Sequence, residues 1–346
     1  MMTKHCLSFF IANCFLATAL CFAGDGFRTA KYGGEFLTLG AGGRGLGMGG
    51  AYSALTNDVT AGYWNPAGLA HIEYPQVMLM HSEQFEGVVK YDYGSFAMPF
   101  GANRSLGIGL IRVGVDDIWV TKLTNPQLKL GETYVDENGV TRINTAQKDY
   151  SISDAEYALF LSYALRRSQK WSWGANVKIV HKNVGAYSAW GLGFDLATML
   201  KPVGNLQLGL NLQDITTTVL AWNSGTREII VPTLRVGMAY PFYFAGLQGY
   251  MAPALDFDVR FEGRDYAAQF ASGPVSVDSH LGWEYQFRDL FALRVGSDVG
   301  QLTAGAGLTL HKFQFDYAFL SHDDLGNSHR VSAKFSFAEP KYHRQR

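Results

Sequence analysis

The sequence predicts an all-β membrane protein, a single antiparallel transmembrane β-barrel of about 14 strands with an N-terminal Gly-rich hatch or plug. Three observations predict it. Apolar and polar residues alternate with period 2 over segments long enough to cross a bilayer. Long and short connections between those segments fall into an ordered pattern. The composition is too poor in charge for an ordinary soluble domain and too polar for membrane helices.

Met1 to Ala23 reads as a cleaved secretory signal peptide. Lys4 and His5 open it, Cys6 to Phe22 is an apolar run, and the small residues Cys21 and Ala23 precede the cleavage point before Gly24. The run is short for a membrane anchor. All 3 cysteines (Cys6, Cys14, Cys21) lie inside this segment. The mature chain therefore enters an oxidising compartment with no disulfide framework, thiolate metal site or cysteine nucleophile.

Charged residues make up 17% of the chain and aromatics 14%, with 39 glycines and a net charge of −1. Such a balance offers no electrostatic footprint for nucleic acid. After residue 23 no run of about 18 apolar residues occurs, so helical spans are not expected. Low charge with high Gly and aromatic content suits strands that alternate between lipid and lumen.

Residues 24–75 form the expected hatch. Gly40–Ala70 holds 9 glycines and ends on Asn65-Pro66-Ala67-Gly68. So much glycine implies a backbone that passes close to something or takes positive φ repeatedly. It buries little by itself and needs an enclosure. Thr56 or Asn57 could cap a short helix over Ala61–Trp64, which Pro66 would end. The segment reads equally as a packing peptide that fills a pore and as a gate. Its candidate residues are Gly45, Gly47, Gly49, Gly50, Asn65, Pro66 and Ala67.

Residues 76–338 supply the enclosure. Leu206, Leu208, Leu210 and Leu212 alternate with polar residues or glycine. Leu302, Ala304, Ala306, Leu308 and Leu310 do the same, as do Phe313, Phe315, Tyr317 and Phe319, and Leu281, Trp283, Tyr285 and Phe287. Period 2 over eight or so residues argues strand. Segments fall near 76–86, 88–100, 104–116, 152–167, 170–183, 188–201, 204–216, 231–241, 249–262, 277–288, 289–298, 301–311, 312–321 and 328–338. Most meet the roughly 9–11 residues a tilted membrane strand needs. Trp171, Trp173, Tyr240, Phe242, Tyr243 and Phe244 cluster near strand ends, as interfacial girdles do. An even strand number lets the sheet close and removes its edges.

Connections after even-numbered segments are short, as at Arg288-Asp289 and His311-Lys312. The long ones, Asp117–Ser151, Asp214–Ile230 and Glu262–Ser276, all follow odd-numbered segments. Short turns within and long loops outside is the outer-membrane pattern. The long loops are therefore expected to be extracellular, and the C-terminus, with the tail 339–346, periplasmic. The polar phase carries Arg112, Lys178, Asp195, Arg235, Asp256, Asp258, Arg260, Arg294, Asp316 and Lys334, which are expected to face the lumen and pair across it.

Several chemical sites are considered and set aside. Gly45-Leu46-Gly47-Met48-Gly49-Gly50 satisfies the dinucleotide-binding spacing but has no βαβ unit after it. His322 and His329 flank Asp323-Asp324-Leu325-Gly326-Asn327, which reads as a hairpin turn rather than a metal site. There is no Gly-x-Ser-x-Gly elbow and no acid pair on one short loop. No enzyme, metal or cofactor is expected.

Three motifs in order carry a family resemblance. Gly-Met-Gly-Gly-Ala with Trp64-Asn65-Pro66-Ala67-Gly68 resembles the N-terminal region of the PorV/PorQ family, within the broader FadL-like outer-membrane barrels. Trp222-Asn223-Ser224-Gly225 with Val231-Pro232-Thr233-Leu234-Arg235-Val236-Gly237 is similar to its middle. Asp316-Tyr317-Ala318-Phe319, with the stretch from Asp323 to Ser332, is similar to its end. The resemblance implies a 14-stranded barrel in the outer membrane of a Gram-negative type cell, with Asn65, Pro66 and Ala67 as the hatch motif. It also implies one of two activities. PorV-type members serve type IX secretion by receiving cargo proteins. FadL-type members move hydrophobic small molecules through a gated hatch and release them laterally. One departure is the tail Glu339–Arg346 beyond Phe337, where such barrels end on an aromatic residue.

Two main readings follow, with a purely structural barrel as a weaker third. The resemblance favours a barrel that receives secreted cargo proteins or other secretion-system components. The alternative is a channel for a hydrophobic small molecule, against which the charged inward face counts modestly. The partner common to all is outer-membrane lipid.

Overall fold

The structure, a computed structural model, describes residues 27–29, 34–85, 87–262, 264, 268–321 and 326–344. The predicted signal peptide, and His322 to Leu325 of the considered turn, lie outside the described residues.

Fourteen strands close one antiparallel barrel. They are β1 (Gln76–Gln84), β2 (Val89–Phe100), β3 (Arg104–Leu123), β4 (Ala146–Arg166), β5 (Trp171–Val184), β6 (Tyr187–Leu200) and β7 (Gln207–Gln213). The circuit continues through β8 (Thr233–Ala239), β9 (Gly249–Arg260), β10 (Val275–Phe287), β11 (Phe291–Asp298), β12 (Gln301–Leu310), β13 (Phe313–Leu320) and β14 (Ser328–Ser336). Each neighbour pair follows in sequence, and β1 closes on β14 with Gln76 opposite Ser336 and Glu83 opposite His329. Closure matters because hydrocarbon offers nothing to an unpaired edge. No helix among the described residues is long and apolar enough to cross a membrane.

Side chains obey the alternation. Leu210, Leu281, Leu302, Leu308 and Phe315 are exposed on the outer wall, while Asn211, His280, Thr303 and Asp316 are buried inside. Replacing Leu210, at the centre of β7, by Arg is expected to cost about 2–4 kcal/mol if it sits near the bilayer midplane. Reversible unfolding in lipid vesicles measures this, and tolerance of the charge would place Leu210 off the lipid face.

All three predicted long loops contain strand; in Glu262–Ser276 it is Phe270–Ser272, paired with Val275–Val277. Within Asp117–Ser151, β3 and β4 continue as a paired ribbon to Leu123 and Ala146, past a register shift between Val115 and Ile118. A small sheet of Thr133–Val135 with Thr141–Ile143 adjoins this region in sequence. β3 and β4 are 20 and 21 residues long, about twice what a bilayer needs. Within Asp214–Ile230, the chain turns at Asp214 and Thr217, both with positive φ, and forms a hairpin of Thr218–Trp222 and Arg227–Ile230. That hairpin pairs with the Ala189–Leu192 part of β6, which β7 has left. Pro232, lacking an N–H, separates Ile230 from β8. Residues 27–29 run parallel to 227–229.

One predicted lumen residue is misplaced. Arg112 lies on the outer wall, between the buried inward residues Ile111 and Val113, and pairs with Asp92 at 3.3 Å. On this part of the wall the inward phase is apolar, so charge is no guide to the face.

Candidate functional site

Residues 34–72 lie inside the barrel and are almost wholly buried from Gly40 onward. A 3-10 turn (Glu35–Thr38) leads to helix α1 (Gly43–Gly47), then helix α2 (Ala61–Trp64) and a second 3-10 stretch (Pro66–His71). Thr60, not Thr56 or Asn57, precedes α2, and the Asp58 carboxylate accepts from its N–H at 2.9 Å.

The glycines of α1 and of the turn after it form a contact surface. A Cβ on Gly47 would stand 3.0 Å from the Cα of Gly305, where glycine meets glycine between helix and wall. At Gly49, φ is +63° and an added Cβ would come within 2.6 Å of the Ser297 backbone. Gly45 fits beneath the Trp64 ring, and Gly50 lies against His280. These four glycines thus permit close approach, and the segment they form is a short helix and the turn after it, seated on β-strands.

Asn65-Pro66-Ala67 is seated in the same way. Asn65 accepts from the Ala67 N–H at 3.1 Å and donates to the carbonyls of Ser53 at 3.1 Å and Thr198 at 3.3 Å. It therefore holds its own turn, another part of the hatch and the barrel wall together. Pro66 and Ala67 press against Gly174 of β5, where a Cβ would lie 2.4 Å from the Pro66 carbonyl carbon. From the wall, Asn176 donates to Gly62 O at 2.8 Å and Asn211 to Trp64 O at 3.1 Å.

The inward charges divide by partner. Glu284 accepts from Arg44 of the hatch at 2.7 and 2.8 Å and from Arg294 at 2.7 Å. Arg294 also reaches Asp316 at 2.8 Å. Asp256 accepts the N–H groups of Tyr52 and Ser53 at 3.2 and 2.9 Å. Lys334 stands 3.8 Å from Asp58. Burial alone would raise the Asp58 pKa, but Lys334 and Arg44 outweigh it and hold the carboxyl below its ordinary value. On the wall, Arg235 grips Asp258 with two donors and lies 5.2 Å above the Trp64 ring. Lys178 bridges Asp195 at 3.2 Å and Asp214 at 2.9 Å, beneath the turn that ends β7. Arg260 reaches Glu35 at 3.0 Å. Sequence reasoning missed Glu284, Arg44, Asp214 and the two asparagines. Glu284 had a signal, since it stands in the polar phase between Trp283 and Tyr285.

From β2 to β5 the lumen wall is largely apolar, with Lys178 of β5 set beside Phe160 of β4. Tyr91, Tyr93, Ile111, Ala158, Phe160 and Val180 point inward from β2 to β5 and are buried in one apolar cluster with Phe36 and Tyr63 of the hatch. Tyr63 meets Phe160 edge-on at 6.2 Å between centroids, and its hydroxyl donates to Leu37 O at 2.7 Å. A cavity of about 40 Å³ opens beside them, lined in part by Leu37, Tyr63, Phe160, Ile230 and Lys178. A larger one, about 260 Å³, lies on the charged side toward the long-loop end.

The tail folds back on the opposite rim. Arg344 is buried and donates to Ile72 O at 2.8 Å, Arg104 O at 2.8 Å and Ser105 Oγ at 2.6 Å. It thereby ties the exit of the hatch to the start of β3. His71, just before, is held neutral, its pKa pushed down to about 4 by burial with help from Lys201, Arg166 and Arg344.

A closed 14-stranded antiparallel barrel with an internal N-terminal segment is a transmembrane-type β-barrel whose fold is like that of FadL-family outer-membrane proteins. No family model matches the chain, and no curated protein matches it in sequence. Among solved structures it is similar to the Ralstonia pickettii toluene transporter TbuX, with TM-score 0.55 and 15% identity over 86% of this chain and 98% of that one. It is likewise similar to the Pseudomonas putida toluene transporter TodX (TM-score 0.53, 14% identity, the same coverage). A Pseudomonas aeruginosa FadL homologue gives TM-score 0.53 at 12% identity, again over 86% and 98%. The likeness is one of fold and spans nearly the whole of those proteins.

Proposed function

We propose that the protein is an outer-membrane channel, not an enzyme, that passes a hydrophobic small molecule along the β2–β5 side of its lumen. Residues 34–72 form the gate, and the long loops face outward. The observation that carries this reading is the apolar inward strip from Tyr91 to Val180. A water-filled pore has a polar interior, and an apolar strip of this extent serves a ligand that water does not dissolve. Two of the similar folds are toluene transporters, which supports the same class of ligand.

Phe160→Asp tests it. The side chain is buried against Tyr63, so a carboxylate there interrupts the strip without touching the outer wall. Cells producing the wild type are expected to take up labelled toluene or naphthalene faster than cells without it, and the variant is expected to lose at least about tenfold of that gain. Equal uptake by a folded variant would remove the reading.

A second reading, a barrel that receives secreted proteins, has one observation in its favour. The β3–β4 ribbon carries exposed Trp119 and Tyr150, and Ile143 adjoining it is exposed as well. Copurification of a secreted protein, lost when 124–145 are replaced by a short turn, would favour it over the channel.

A further inference from the structure

The cavity of about 260 Å³ on the charged side has an imbalance of donors over acceptors. It is bounded by the hatch residues Glu35, Leu39, Leu46 and Trp64 and by inward residues of β8 to β14. Its carboxylates are already occupied. Asp258 is held by two Arg235 donors, Asp278 by Arg264 and the Gln269 N–H, Asp298 by His280 at 3.0 Å, and Glu35 by Arg260. Its cations are satisfied only in part. Among the described residues Arg235 Nη1, Arg264 Nε, His280 Nε2 and Arg330 Nε are buried without a hydrogen bond, with Glu35 4.0 Å from Arg264 Nε and Asp258 3.7 Å from His280 Nε2.

Arg330 is the extreme case. It projects inward from β14 and is 4% exposed. Among the described residues it makes no hydrogen bond to any acceptor and no ion pair. The charge of Asp298 reaches it without forming an ion pair, and a buried guanidinium with no bound anion is unfavourable, as is an unsatisfied N–H. Four nitrogens that lack a hydrogen bond line one cavity, three of them fixed N–H donors, and together they call for a ligand rich in acceptor oxygens.

We propose that this cavity is a binding site for an oxyanion, a carboxylate, sulfate or phosphate group, with Arg330 as its principal cation and Arg235 and Arg264 as flanking donors. The group is either a free anion or the acidic head of an amphiphile whose body lies against Leu39, Leu46 and Trp64. Arg330 stands two strands from Tyr91, the near end of the apolar strip, with Ser82 of β1 between them, so the site borders the strip on the β14 side.

Isothermal titration of the detergent-purified protein tests this with sodium sulfate, inorganic phosphate, decanoate and, as the neutral control, decanol. Sulfate or phosphate is expected to saturate one site, and R330Q to weaken it at least about tenfold while R330K retains part of it. Decanoate binding alone, with decanol silent and R330Q again weakened, identifies the head of an amphiphile and equally supports the site. Heat-modifiable migration on a gel establishes that each variant is a folded barrel. If R330Q does not fold, the wild-type titrations still decide. No saturable binding of any of the three anions, decanol binding as tightly as decanoate without sulfate or phosphate binding, or R330Q binding as the wild type does, would overturn the proposal. Uptake of neutral hydrocarbon is a separate readout, so loss of the anion site leaves the channel reading to its own test.

Discussion

Deleting Gly40–Gly68 is expected to leave a barrel that still inserts but conducts ions steadily, where the wild type stays closed. The wall does not depend on the hatch for its ladder. Every strand from β1 to β14 pairs with its two barrel neighbours, and β1 meets β14 over eight consecutive residue pairs. What the hatch supplies is filling: Met48, Tyr52, Leu69 and the rest of its buried side chains occupy the middle of the lumen. Without them, Asp256, Glu284, Arg294 and Lys334 face water, and charges of both signs solvate readily in a pore. Single-channel recording in planar bilayers measures the change. Conductance no greater than wild type would show that 40–68 is not what closes the lumen.

Glu284→Ala is expected to loosen the hatch while leaving the fold in place. Its carboxylate is buried and carries two guanidiniums, Arg44 from the hatch and Arg294 from the wall. Arg294 keeps Asp316, but Arg44 retains only the Tyr52 hydroxyl at 3.1 Å and Asn57 at 3.0 Å. Removing one partner of a buried ion pair costs about 3–5 kcal/mol, because the remaining charge is left in a poorly solvating place. That cost is relieved if the hatch shifts and lets Arg44 reach water. Intermittent openings in the bilayer recording should therefore accompany a lower unfolding midpoint, and Glu284→Gln should lie between. A variant as closed and as stable as wild type would remove Glu284 as the anchor.

The local order of the chain carried most of the barrel. Period 2 is a property of consecutive residues, so Leu206–Leu212 or Phe313–Phe319 reveals its own faces without reference to any other strand. Arg112 shows where that inference failed. It rests on charge marking the inside, and β2 to β5 line the inside with Tyr91, Tyr93, Ile111 and Phe160 instead. There the alternation is apolar against apolar, and the outward Arg112 pairs with the outward Asp92 in a setting that looks like lumen from sequence alone. The same ambiguity hid the apolar strip, which carries the functional reading. The tail after Phe337 was legible as a departure, but nothing in Glu339–Arg346 says that Arg344 reaches back to Ile72 and Arg104.

Strand existence, strand faces, the segregation of long connections and the close-packed nature of the glycine segment all follow from neighbours in the chain, because pleat and turn are local physics. The seat of the hatch does not. Gly47 against Gly305, Arg44 on Glu284 and Asn65 on Thr198 join residues more than a hundred positions apart, and their sequence separation carries no trace of the distance between them. The two-sided lumen is decided at the same level. Which charges pair, and which nitrogens are left over, depends on barrel closure bringing β8 to β14 around one cavity, and closure is a property of the whole sheet.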